Sequence, residues 1–540
     1  MSAVGPAPGL PTGPALGAKG TPDITIKVST TEGRRPISAL IYGSNSSEEI
    51  ATTKPTFLRS GGNRMTAYNW ENNASNAGAD WCFENDAFLV ANSQTPDAAG
   101  AAVSDLITAA TAQGASVLLT VPIVDYVAGD KDQPGSSPPD CASDVRKSGA
   151  NYLTTRFKKN KSAKGRMLSL TPDITDDSVY QDEFVNWART TYPKTFFFFD
   201  LDNEPDAWAS THAEVQTTPV TYAEVTSKNI EFAKVVKANA PDAKVLGFVS
   251  FGWGGWTGLS GAPDANQRDF TESYLDTMKA AEASAGKRLV DVLDLHYYPE
   301  ARDAFDPKDS AVGTRVTDSG LHALDPAVVA ARVQAPRSLW DDKFVEQSWI
   351  TYWATMKKPI ALIPSMLGKI AAHYPGTELA FSEWNFGGGA DISGGVAAAD
   401  VLGIFGREGV YMASFFGFGD AEVYNRAAFR VYRNFDGQGA TFGDTAVAAT
   451  TSDIEKTSVY ASTVEADASR IVLVLINKDT AVHTANIAIE ASSAFTRAGV
   501  WTLTAAGSDV KAAGVANVSA QNSIVYDMPA MSVSVIAPAP

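Results

Sequence analysis

Apolar residues crowd into eight short runs between residues 38 and 420, and each run closes on polar, glycine or aromatic residues. The runs cover 38–45, 56–63, 116–126, 195–205, 244–253, 291–299, 377–388 and 410–420. A continuous apolar run bounded by turn residues reads as a parallel strand buried on both faces. Between most of them lie stretches such as 182–192 and 222–241, where apolar residues recur at three- and four-residue spacing, the period of an amphipathic helix. Eight β-α repeats predict a (β/α)8 barrel, an α/β fold. An open doubly wound sheet is the rival; it normally has fewer units and a G-x-G-x-x-G turn after its first strand, and no such turn lies there.

From about residue 440 the pattern changes. The segments 458–464, 470–478, 484–490, 499–505 and 532–538 alternate apolar and polar positions and are divided by turn residues, as in an antiparallel β-sandwich. The segment 24–30 alternates in the same way and has no barrel partner before it, so it is assigned to that sandwich. The expected organisation is therefore a barrel over 36–438 and a sandwich built from 23–35 with 439–540. Residues 1–22, rich in Pro, Gly and Ala, form an expected disordered linker. The stretch between the sixth and seventh runs is longer than one helix needs, and 302–320 reads as a long loop over the barrel mouth.

A length of 540 residues suits a large domain with a smaller one, and 44% hydrophobic with 19% charged residues is the balance of a globular chain. The net charge of -17 disfavours a phosphate backbone as partner and leaves neutral polymers open. No apolar run reaches the length of a membrane span. The first twenty residues lack the basic and apolar regions of an intact secretion signal. Abundant Gly, Ala, Thr, Ser and Asn suggest a secreted, extracellular protein. The two cysteines, Cys82 and Cys141, fit one disulfide in an oxidising compartment or two separate thiols.

Candidate chemistry sits at the strand ends. The fourth run, with four phenylalanines at 196–199, ends in Asp-Leu-Asp-Asn-Glu-Pro, which places Glu204 before a proline that stops the strand. The seventh run ends in Ser-Glu-Trp-Asn-Phe-Gly, which places Glu383 at the matching end. Two glutamates facing each other across a barrel mouth suit glycoside hydrolysis, with Glu204 as acid/base and Glu383 as nucleophile. Their environments must differ, so that one stays protonated and the other ionised. Arg59, ending the second strand, is placed to keep Glu383 charged. His296 and Tyr297 end the sixth strand, where contact with the nucleophile or the cleft competes with core packing. Trp340 and Trp384, with other tryptophans at loops and strand ends, offer flat faces for sugar rings. H-E-x-x-H, C-x-x-C, P-loop and G-x-S-x-G motifs are all missing. The aspartates of 302–310 lack the spacing of a calcium loop, so neither a metal nor a cofactor is expected.

The blocks at 60–81, 201–208, 339–350, 381–395 and 399–414 closely resemble glycoside hydrolase family 44, over nearly the whole chain from residue 24. The resemblance implies a barrel carrying a β-sandwich that includes the N-terminal strand, and a retaining endo-β-1,4-glucanase, often active on xyloglucan. It implies the same roles for Glu204 and Glu383, and sugar subsites around Asn63, Asn69, Trp70 and Asn203. Trp384 stands where the family more usually has a tyrosine, and the insertion 130–144 differs from a short family loop. Some family members carry a structural calcium, and this chain shows no diagnostic loop for one. The expected partner is a β-1,4-linked polysaccharide, attacked by a monomer. A β-mannanase or xylanase on the same barrel is the nearest alternative, and a non-catalytic polysaccharide-binding protein the next.

Overall fold

The computed structural model describes residues 4–17, 20–132, 140–309 and 311–540. Residues 133–139 of the 130–144 insertion thus lie outside the described residues. Eight strands close into a barrel: Gly43–Ser44, Phe57–Ser60, Ser116–Val121, Phe197–Leu201, Val245–Ser250, Val292–Tyr297, Glu378–Trp384 and Met412–Phe415. They are numbered first to eighth here, and each falls inside one of the eight apolar runs. Ser116–Val121, Phe197–Leu201, Val245–Ser250 and Val292–Tyr297 are buried at every position, which is why their sequences run apolar instead of alternating. The pairings are parallel, for example Leu58 with Val117 and Val117 with Phe197. Helices such as Tyr222–Asn239 and Phe270–Ala285 follow the strands; Thr221 and Asp269 cap these two by accepting from Glu224 N and Glu272 N.

The chain packs as two compact units, residues 57–297 with 366–383, and residues 1–56, 298–365 and 384–540. In the second unit the C-terminal strands form one hydrogen-bonded sequence of neighbours that includes Ile24–Ser29. That strand lies between Thr445–Thr451, antiparallel, and His483–Glu490, parallel. Ile24, Ile26 and Val28 are buried while Thr25 and Lys27 are exposed, the period of a sheet with one wet face. Thr445–Thr451 changes partners along its length: Thr445–Val447 pair with Thr463–Ala461, and Ala448–Thr451 pair with Ser29–Ile26. A strand that serves two sheets forms a corner of a sandwich. Leu473, Leu475, Ile487, Val500 and Ile536 join the N-terminal strand in the core.

The expectation of a wholly disordered start is corrected. Ala15–Leu16 pairs in parallel with Val515–Ala516, and Arg470 donates to the carbonyls of Gly5 and Pro6. Proline removes a backbone donor but keeps its carbonyl, and these contacts use carbonyls. Among the described residues no helix is long and apolar enough to cross a membrane.

Candidate active site

All the groups described first belong to the unit of residues 57–297 and 366–383. The fourth strand ends at Leu201, and the next residues turn sharply. Asp202 and Glu204 both take left-handed backbone, with φ of 71° and 50°, a conformation that non-glycine residues adopt only where the surroundings hold them. The surroundings do so here. Asp202 Oδ2 accepts from Ile123 N at 2.5 Å and Val124 N at 3.1 Å, and Glu204 N donates to Val249 O at 2.9 Å. Pro205 then opens a short 3-10 turn. The result points the Glu204 carboxylate at His296, whose Nδ1 lies 2.7 Å from Glu204 Oε1 and 3.5 Å from Glu383 Oε2. One oxygen of each glutamate and a His296 nitrogen all lie within 4.8 Å of one another.

Arg59 ties the other side together. Its guanidinium is buried and donates to Glu383 Oε1 at 2.6 Å, Asp200 Oδ2 at 2.8 Å and Asn203 Oδ1 at 3.0 Å. Asn203 Oδ1 also accepts from Gly62 N at 3.3 Å. The fixed fork of an arginine suits two carboxylates and an amide oxygen at once. It also holds a permanent positive charge beside Glu383, so the chain itself neutralises much of the charge a cation would meet between the two glutamates.

The electrostatics set the protonation of Glu204. Burial, foremost, pushes the Glu204 carboxyl above its ordinary value; the His296 hydrogen bond opposes this and the Glu383 charge adds to it. Burial alone would push His296 down, but the Glu383 charge and the bond to Glu204 outweigh it, and His296 is raised as well. Behind them Asp294 is raised to about 6 by burial, and its Oδ1 accepts from Ser382 N at 2.9 Å. Ser382 Oγ lies 3.1 Å from His296 Nε2 and fixes the ring.

The sequence profile of glycoside hydrolase family 44 matches residues 74–301. Endoglucanase A of Paenibacillus lautus is 37% identical over 528 residues, 94% of this chain and 72% of that protein. The chain belongs to glycoside hydrolase family 44. Two solved family 44 structures resemble it over 96% of this chain and 99% of theirs. An endoglucanase from Clostridium thermocellum gives a TM-score of 0.87 at 37% identity. A xyloglucanase from Paenibacillus polymyxa gives 0.86 at 35%.

Of the residues singled out in this family 44 chain, Glu204, Glu383, Arg59, Asn203 and His296 come together. Several others do not join them. Trp70 is buried against Phe184 and Trp187, with its indole N–H donated to Tyr180 O at 3.2 Å. Trp384 is fully buried, stacked on Phe429 and edge-on to Phe405 and Phe415. The expectation that these two rings meet sugar is therefore corrected: their faces are already covered. Asn69 is also buried, spanning Ala128 O and Glu71 N. Asn63 is half-buried and donates to Ala77 O at 3.3 Å. Tyr297 packs on Trp256 with ring centres 6.0 Å apart. Trp340 lies under the Arg407 guanidinium. Cys82 and Cys141 form a disulfide.

Asp200, Asp202, Asp294 and Ser382 were not anticipated. A signal for three of them was present: Asp200 and Asp202 interrupt the fourth apolar run at alternate positions, and Asp294 precedes His296 by two in the sixth. Alternate positions share a strand face, so these acids point where the chemistry lies. In the other unit, a cavity of about 810 Å3 is lined by residues that follow the sixth, seventh and eighth strands, among them Tyr298, Asn385, Phe416, Phe418 and Glu422.

Proposed function

We propose that the chain is a secreted, monomeric endo-β-1,4-glucanase that hydrolyses β-glucans and xyloglucan with retention of configuration. The observation that carries this reading is the close approach of Glu204 and Glu383. Retaining glycosidases hold their carboxyl groups about 5–5.5 Å apart, whereas inverting enzymes leave about 6.5–9.5 Å for a water. One oxygen of Glu204 lies within 4.8 Å of one of Glu383, which favours the retaining spacing.

In the first step Glu204, its proton retained by burial, protonates the glycosidic oxygen as Glu383 attacks the anomeric carbon. The glycosidic bond breaks and a glycosyl-enzyme ester forms. Arg59 holds Glu383 ionised and aimed. In the second step Glu204, now a carboxylate, takes a proton from water; the water oxygen bonds to the anomeric carbon and Glu383 leaves. His296 positions Glu204 in both steps. Two carboxylates supply acid, base and nucleophile, so the reaction requires neither a metal nor a cofactor. The disulfide and the acidic composition suit an extracellular enzyme.

The test is proton NMR of anomeric signals during digestion of cello-oligosaccharides and, separately, xyloglucan. β-Anomer appearing first supports retention, and the faster substrate names the polymer. α-Anomer appearing first overturns the mechanism, and no product from either overturns the activity. Glu383→Gln should lower turnover at least about 10^4-fold while substrate binding persists. Near-native turnover would remove Glu383 as nucleophile.

A further inference from the structure

A cavity of about 240 Å3 has no part in the reaction above. Arg337, Trp340, Arg407, Thr451, Tyr460 and Lys478 contribute to its walls, and all belong to the unit that carries the C-terminal strands. Two of its cationic side chains are underused. The Lys478 ammonium has three donors on a residue only 5% exposed, and its one hydrogen bond goes to Ile454 O at 2.7 Å. Arg407 donates through Nε to Glu408 at 2.7 Å, yet its Nη2 is buried without an acceptor.

Arg337, by contrast, is satisfied by Asp341 and Gln334. The nearby acids are engaged elsewhere. Asp341 serves Arg337, Glu408 serves Arg407 Nε, Asp400 accepts from Tyr460 Oη at 2.6 Å, and Asp453 accepts from Glu455 N and Lys456 N. Glu455 reaches Arg337 only at 3.9 Å. Buried donors normally find acceptors, and a buried charge without a close counter-charge is costly. Burial pushes the Lys478 pKa down despite the Asp400 charge, as expected of an ammonium short of compensation.

We propose that this cavity binds a carboxylated pyranose, a uronic acid residue. The carboxylate accepts from Lys478 Nζ beside the Arg407 guanidinium, whose positive charge adds to the attraction, and the ring packs against the exposed part of the Trp340 indole. The hydroxyls of Thr450 and Ser458, which also line the cavity, face the ring hydroxyls. The volume favours a sugar over a bare oxyanion, because 240 Å3 holds about eight waters at roughly 30 Å3 each. Half-exposed Trp340 leaves the site open to solvent. Acidic branches of plant polysaccharides present such a group.

The experiment is saturation-transfer NMR and calorimetry on the full chain, with glucuronate, glucose and sulfate as separate probes. Glucuronate should bind saturably, and glucose at equal concentration should not. Lys478→Met should weaken glucuronate at least tenfold and leave hydrolysis of the neutral polymer unchanged. Arg407→Gln should give the same loss, and it carries the test if Lys478→Met fails to fold. Absence of saturable glucuronate binding overturns the proposal, as does binding that both folded variants retain. Sulfate binding as tightly as glucuronate overturns the sugar and leaves an adventitious anion site only.

Discussion

His296 does two things for Glu204: it fixes the carboxylate at 2.7 Å, and its hydrogen bond and charge both favour the ionised form. A histidine-to-glutamine change separates them. His296→Gln should lower kcat/KM because Glu204 loses its anchor. It should also move the alkaline limb of the pH profile upward, because the influences that lowered the Glu204 pKa are gone while burial, which raised it, remains. A downward shift of that limb would mean that another group sets it. At this scale the sequence names residue types well and directions poorly. Glu204 and Glu383 are legible because a polar residue at the end of a buried strand has few places to point. Trp70 and Trp384 are not, because an indole at a strand end packs on phenylalanines as readily as on a sugar, and only the neighbours decide.

Among the elements, Ile24–Ser29 and His483–Glu490 are pinned beyond their ladder by a charged cluster. His483 Nδ1 lies 2.6 Å from Asp23 and Nε2 lies 3.0 Å from Asp479. Burial would push His483 down, but the bonds to Asp23 and Asp479 raise it, while Asp23 and Asp479 are lowered chiefly by their bonds to His483. The raised histidine stabilises the fold below its ordinary value of 6.5, and that contribution is lost as pH rises through its folded value. The lowered acids contribute above their ordinary 3.8, and lose that contribution as pH falls through their folded values. The cluster is therefore most stabilising from about pH 4 to 6.5. Its effect is modest, because Asp23 is half exposed and screened. His483→Gln should lower the melting temperature at pH 5.5 and lose that difference by pH 8. A difference that grows with pH would exclude the histidine as its source. The strands themselves were readable in proportion to their apolar content. Thr457–Val464 and Asp467–Asn477 alternate or run apolar, whereas Thr445–Thr451, Gly507–Asn517 and Ser523–Met528 went unrecognised. Alanine, threonine and glycine in the first two give too little contrast between faces to register as a period, and in Ser523–Met528 the exposed Val525 hides the alternation.

For the whole molecule, the eight-stranded barrel was legible because parallel strands buried on both faces have no polar side to confuse the pattern. The placement of Ile24–Ser29 followed by elimination, since a strand needs a partner and none preceded it. Removing residues through 31 should leave Thr445–Thr451 and His483–Glu490 with open edges, and soluble yield should collapse. Removing residues through 20 takes away, among the described residues, the short Ala15–Leu16 pairing, the carbonyl contacts to Arg470 and the Gly5 N–H bond to Thr441, so melting should fall by a few degrees. Equal behaviour of the two truncations, measured as soluble yield and thermal melting, would mean that the strand is dispensable. The same strand imposes an order in time. Thr25 N and Ser452 Oγ, hydrogen-bonded at 2.9 Å, are 427 residues apart in the chain. At a synthesis rate of about 5–20 residues per second, Thr25 leaves the ribosome roughly 20–85 s before its partner exists. Throughout that interval a nascent chain carries Ile24, Ile26 and Val28 unpaired, and two nascent chains can pair through them. Slower translation lengthens the interval, so for this protein reducing the elongation rate favours aggregation on the ribosome instead of relieving it.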